Sequence, residues 1–203
     1  MKEDKHQNLL SEKGGSGFPH LVFMDSGGTV LTEAGDRSVA GFAQAAKQAQ
    51  ANLELKKKGD AGDEKAKYDF LLLEIGMRTV KASEARKRLG EIKSLTDDQK
   101  KRAEDLLVDL DVAETAETAG RDLKTRIEAG KKFAEMDKAG RVPKGDREFQ
   151  AFYIFMMDYA ESQKDAAMFE KAFGILKDKY GDRMNKKFRD TNEERLKKLK
   201  GGK

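Results

Sequence analysis

The chain has 203 residues, with 41 Lys and Arg against 37 Asp and Glu and a formal net charge of +4. Hydrophobic residues make up 37% and charged residues 38%, a balance that suits solvated amphipathic helices better than a broad buried sheet. There is no cysteine, which excludes disulfides, thiolate metal sites and thiol chemistry within this sequence.

The length allows one domain or two small ones. No apolar run reaches the length of a membrane span, and Met1-Lys2-Glu3-Asp4-Lys5-His6 has no apolar core of a signal peptide. The default expectation is a cytoplasmic protein, replaced by export if a signal-bearing N-terminus is missing. The charge is unevenly spread. Residues 183–203 carry nine Lys and Arg and three Asp and Glu, a basic tail of +6 on a body of −2.

In chain order, residues 5–13 read as the last turns of a helix with Leu9 and Leu10 facing inward, ended by Gly14 and Gly15. Leu21-Val22-Phe23-Met24 is an apolar run of strand length, and Val and Phe favour β structure. Asp25-Ser26-Gly27-Gly28 supplies turn chemistry, and Thr29-Val30-Leu31-Thr32 alternates as an edge strand with one wet face. Asp36 reads as an N-cap. It precedes a helix whose stripe Val39, Phe42, Ala43, Ala46 and Ala49 is expected to face the hairpin.

From Asp63 onward the pattern is helical. Tyr68, Leu71, Leu72 and Ile75 mark one face, broken near residues 76–79. Ala82, Ala85, Leu89 and Ile92 mark the next, and Ala103, Leu106, Leu107, Leu110 and Val112 mark a third beginning at Thr96. A helix is expected from about Ala119 to Met136, and residues 138–145 form the clearest linker. Phe149, Phe152, Tyr153, Phe155, Met156 and Tyr159 line a strongly apolar helix after it. Residues 165–179 and 182–200 supply the last two. Helices of this length with short connections pack as antiparallel hairpins.

The stretch Gly17-Phe18-Pro19-His20-Leu21-Val22-Phe23-Met24-Asp25, with the turn and strand after it, resembles the C-terminal part of the thioredoxin fold over about residues 7–52. The resemblance implies a cis-proline at Pro19 ahead of the hairpin and a final helix behind it. The C-x-x-C motif of that family is absent. Phe169-Glu170-Lys171-Ala172-Phe173 is similar to the core of a tetratricopeptide second helix, although Asp165 stands where a small residue is expected and no 34-residue period appears.

Gly17, Phe18, Pro19 and His20 form the candidate site. In the thioredoxin family the backbone before the cis-proline pairs with an extended peptide, so the resemblance implies an apolar platform at Phe18 and Pro19. The alternative is a structural corner. Histidine can serve as a proton donor or a pH-sensitive contact, but no nucleophile beside His20 supports a triad, and the expectation is a surface histidine at a strand start. Gly14-Gly15-Ser16-Gly17 lacks the Lys-Ser/Thr end of a phosphate loop. The acidic clusters near residues 60–64 and 109–114 lack the ligand pattern of a calcium loop. The tail interleaves Asp190, Glu193 and Glu194 with its basic residues, which argues against nucleic acid.

The expected architecture is mainly α: a small truncated thioredoxin-like α/β unit over residues 1–55, then helical hairpins over residues 56–203 with a break at 138–145. The expected function is a non-catalytic peptide- or protein-interaction module without a cofactor or metal. It offers a helical groove, and the Leu21–Met24 strand edge is open to a partner or to self-pairing. The alternative is the C-terminal portion of a thiol–disulfide oxidoreductase whose C-x-x-C half lies upstream of Met1.

Overall fold

The structure, a computed structural model, describes His6 and residues 8–15 and 17–201. The fold is mainly α, 72% helix and 4% strand, with one two-stranded antiparallel hairpin. A short helix α1 (Leu9–Glu12) precedes strands β1 (Val22–Met24) and β2 (Val30–Glu33). Helices α2 (Val39–Asp60), α3 (Glu64–Gly76), α4 (Ala82–Glu91) and α5 (Asp97–Ala119) follow. Then come α6 (Leu123–Lys138), α7 (Asp146–Ser162), α8 (Ala166–Tyr180) and α9 (Lys186–Gly201). The expected start at residue 5 lies partly outside the described residues.

The chain divides into two compact units between Leu110 and Asp111, inside α5. The boundary expected at 55/56 falls within α2, which packs against both β2 and α3, so the hairpin shares its unit with the helices that follow it.

In the first unit the hairpin register is Val22 to Glu33 and Phe23 to Thr32, then Met24 to Val30. Leu31 is therefore an extra residue, and a bulge lets neighbouring side chains leave strict alternation. Val30 and Leu31 are both buried, so the wet-and-dry alternation expected of this strand is not what forms. The Leu31 carbonyl accepts from the Asn52 side chain at 2.6 Å, and Asn52 is itself buried. A buried amide that meets a main-chain carbonyl ties α2 to the bulge at low cost.

Helix α2 is rotated relative to the expected stripe. Gly41, Ala45, Ala49, Asn52 and Gly59 are buried, whereas Val39 is 89% exposed and Phe42 and Ala43 also face solvent. Close approach decides the face. A Cβ on Gly59 would lie 3.1 Å from the Lys67 amide nitrogen, so the small residues take the contact and the larger apolar ones are left outside. The N-cap is also displaced. Ser38 caps α2 through Gly41, and Asp36 instead accepts from the Ser38 amide and hydroxyl. A larger core follows in α3–α5, where Tyr68, Leu71, Ile75, Ala85, Ala103, Leu107 and Leu110 pack together.

The second unit has one core, built by α6, α7, α8 and α9 with the end of α5. Phe133, Phe152, Met157, Phe169 and Ala172 have no exposure. A Cβ on Gly130 would stand 2.0 Å from the Phe155 carbonyl oxygen, so the α6 and α7 backbones touch there and only glycine fits. Asp122 and Asp165 cap α6 and α8 through the amides of Thr125 and Met168. Among the described residues no helix is long and apolar enough to cross a membrane.

Candidate functional site

The loop that carries Gly17, Phe18, Pro19 and His20 is set by α1 and the hairpin. Gly14, at φ +82, ends the helix in a conformation that favours glycine, and a Cβ there would meet the Met77 carbonyl at 2.1 Å. The Lys13 ammonium donates to the Gly28 carbonyl at 2.6 Å, joining the end of α1 to the hairpin turn. His20 Nε2 lies 3.0 Å from the Lys13 carbonyl, and because a carbonyl only accepts, that nitrogen carries the proton. The imidazole also lies against Gly15, where a Cβ would come within 2.8 Å of the ring.

The four candidate residues therefore separate into two groups. Gly17, Phe18 and Pro19 are exposed, Phe18 at 88%, and the Phe18–Pro19 bond is cis. His20 is half-buried and turned inward as a strut between the loop and α1.

Beyond the loop, β1 packs one residue into the small core of the hairpin. Phe23 lies against Leu31, Ala49 and Phe70. Leu21 and Met24 remain exposed. The turn is organised by Asp25, whose carboxylate accepts from the Gly27 and Thr29 amides at 2.9 Å each. Lys56 of α2 stands 3.8 Å from it. The hydrogen bond from Thr29 is the main cause that holds the Asp25 carboxyl below the ordinary carboxylate range. Burial opposes it, and Gly27 and Lys56 add to the lowering.

A depressed carboxyl stabilises the fold above its unfolded value near about 4, and the contribution is lost as pH falls through the folded value. Urea midpoints measured between about pH 3 and pH 7 are expected to fall below about pH 4, and Asp25→Ala should flatten part of that slope. An unaltered slope in the variant would mean that the turn does not carry this linkage.

Other candidate chemistry is already satisfied internally. A cavity of about 240 Å³ in the first unit is lined by Lys56, Gly59, Phe70, Leu71, Arg88 and Ile92, among others. Its cations are matched: Lys56 to Asp60 at 2.8 Å, Lys67 to Glu64 at 2.8 Å, and Arg88 to Glu74. In the basic tail, Arg195 is held by Asp158 and Glu161, and Lys200 pairs with Glu170 at 2.6 Å. Among the described residues no group of three or more His, Asp or Glu is placed to hold a metal ion.

No protein-family model, characterised protein or solved structure matches this chain. The inward turn of His20 is not legible in the sequence, because the contact is made to a main-chain carbonyl that no side-chain pattern announces.

Proposed function

We propose that this chain is a non-catalytic, thioredoxin-like interaction module that takes an extended segment of another polypeptide at the Gly17–Pro19 loop and along β1. One observation carries the reading. Of seven exposed large apolar side chains among the described residues, six (Leu9, Phe18, Leu21, Met24, Val39 and Phe42) belong to the hairpin, the segment leading into it and the start of α2. Single exposed apolar residues are ordinary, but a concentration of them in one short segment marks a surface used for contact. A two-stranded sheet is marginal alone, and an added backbone extends it. The chain brings no thiol of its own to such a complex.

The test is selection of peptides from a random display library on the full-length chain, followed by amide-shift mapping of those that bind. Shifts are expected to concentrate between Gly17 and Met24. Phe18→Ala should leave the thermal midpoint unchanged, because the ring is already in water, and should weaken binding at least about tenfold. Selected peptides that perturb only residues 111–203 would overturn the reading.

A further inference from the structure

Two hydrogen bonds fix the phase of β1. Leu21 accepts at its carbonyl from the Ala34 amide at 2.8 Å, and the Asp25 amide donates to the Thr29 carbonyl at 3.0 Å. Phe23 stands opposite Thr32 between them. Main-chain groups alternate in direction along an antiparallel strand, so Leu21, Phe23 and Asp25 address β2, and Val22 and Met24 turn their N–H and C=O groups the other way. No third strand lies there among the described residues. Leu21–Met24 carries no charged residue of the kind that guards sheet edges. Such an edge is satisfied repeatedly only by another extended backbone.

We propose that the occupant is a second copy of this chain, with β1 paired antiparallel to β1 about a two-fold axis at Phe23. The proposal rests on the reading of β1 as an interaction edge and names the partner for it. The edge is self-complementary in that register. Val22 of each copy exchanges both main-chain bonds with Met24 of the other, giving four in all. Phe23 then faces Phe23 as a non-hydrogen-bonded pair, the position where cross-strand side chains come closest and where aromatic pairs stabilise sheets. Both rings lie on the side of the Leu31, Ala49 and Phe70 core, so pairing continues that core across the axis.

The charges also agree. Asp25 falls opposite Leu21 of the second copy and next to its His20, so no like charges meet. Strands of three residues make a small interface, and the dimer is therefore a transient one, in rapid exchange with the monomer.

Sedimentation equilibrium of the full chain from about 10 µM to about 1 mM tests this. The weight-average mass is expected to rise from 22.7 kDa toward twice that value. Val22→Pro removes an outward N–H from each copy and should raise the dissociation constant at least about tenfold. Glu33→Lys, on the other strand, should leave it unchanged. In a mixture of labelled and unlabelled wild-type chains, intermolecular contacts are expected between the Phe23 rings and between Val22 and Met24. This readout does not depend on any variant folding. A wild-type chain that stays monomeric throughout, or a dimer without those contacts, would overturn the proposal. If selected peptides still bind at Gly17–Met24 in that event, the interaction reading survives and only the self-pairing falls.

Discussion

Replacing Phe133 with alanine is expected to cost the second unit about 3–5 kcal/mol. The ring has no exposure and is enclosed by two others, Phe152 at 5.0 Å and Phe155 at 6.0 Å between centroids, both close to parallel. Removing it takes away the transfer free energy of an aromatic side chain and leaves a cavity between helices that cannot close. The α6 and α7 backbones already touch at Gly130, one turn before Phe133 on the same helix, so neither helix can move inward to fill the space. A small domain has about 5–15 kcal/mol in total, so the variant should be close to the limit of folding. Urea unfolding followed by tyrosine emission is a suitable readout, because Tyr153, Tyr159 and Tyr180 lie in this unit and there is no tryptophan. A loss below about 1 kcal/mol would mean that the ring is not enclosed as described.

Much of this arrangement is legible in the sequence where one periodicity dominates. The faces Tyr68–Ile75 and Phe149–Tyr159 have large side chains at helical spacing, and burying them leaves little choice of orientation; the α5 stripe instead divides, with Ala103, Leu107 and Leu110 in the core of the first unit and Val112 in that of the second. Helix α2 shows where that logic stops. Its composition is alanine-rich, so the expected stripe (Val39, Phe42, Ala43, Ala46 and Ala49), of which Ala49 alone is buried, competes with the face that permits close approach. The close face wins where Gly59 brings the backbone of α2 against Lys67 of α3, and Gly41 and Ala45 are buried as well. The β2 bulge was equally hidden. It depends on register against β1, and one extra residue at Leu31 converts an alternating strand into one with two adjacent buried side chains. At the candidate site the separation of exposed Phe18 from inward His20 follows from a contact with the Lys13 carbonyl. Main-chain acceptors of that kind leave no trace in residue identity.

The charged cluster of the second unit was also invisible from spacing, since its ion-pair partners lie more than thirty positions apart. Asp158 on α7 is 5% exposed and accepts from Arg195 of α9 at 2.9 Å, and it forms an ion pair with Arg126 of α6. Each guanidinium also lies over an aromatic ring, Arg126 above Phe155 and Arg195 above Phe169. Asp158→Ala would leave Arg195 with Glu161 at 2.6 Å and take from Arg126 the carboxylate it pairs with. The expected cost is about 2–3 kcal/mol, below the 3–5 kcal/mol of a fully buried pair because both arginines keep about a quarter of their side chains in water. The network is not itself a strong source of stability. Arg126 Nε is buried without a hydrogen bond, so part of the desolvation is uncompensated. Replacing the three together, as Asp158→Leu with Arg126→Met and Arg195→Met, should therefore recover most of the loss. Urea midpoints of the single and triple variants decide the matter. A triple variant as unstable as Asp158→Ala would show that the charges hold α6, α7 and α9 together; recovery would show that apolar packing supplies the stability.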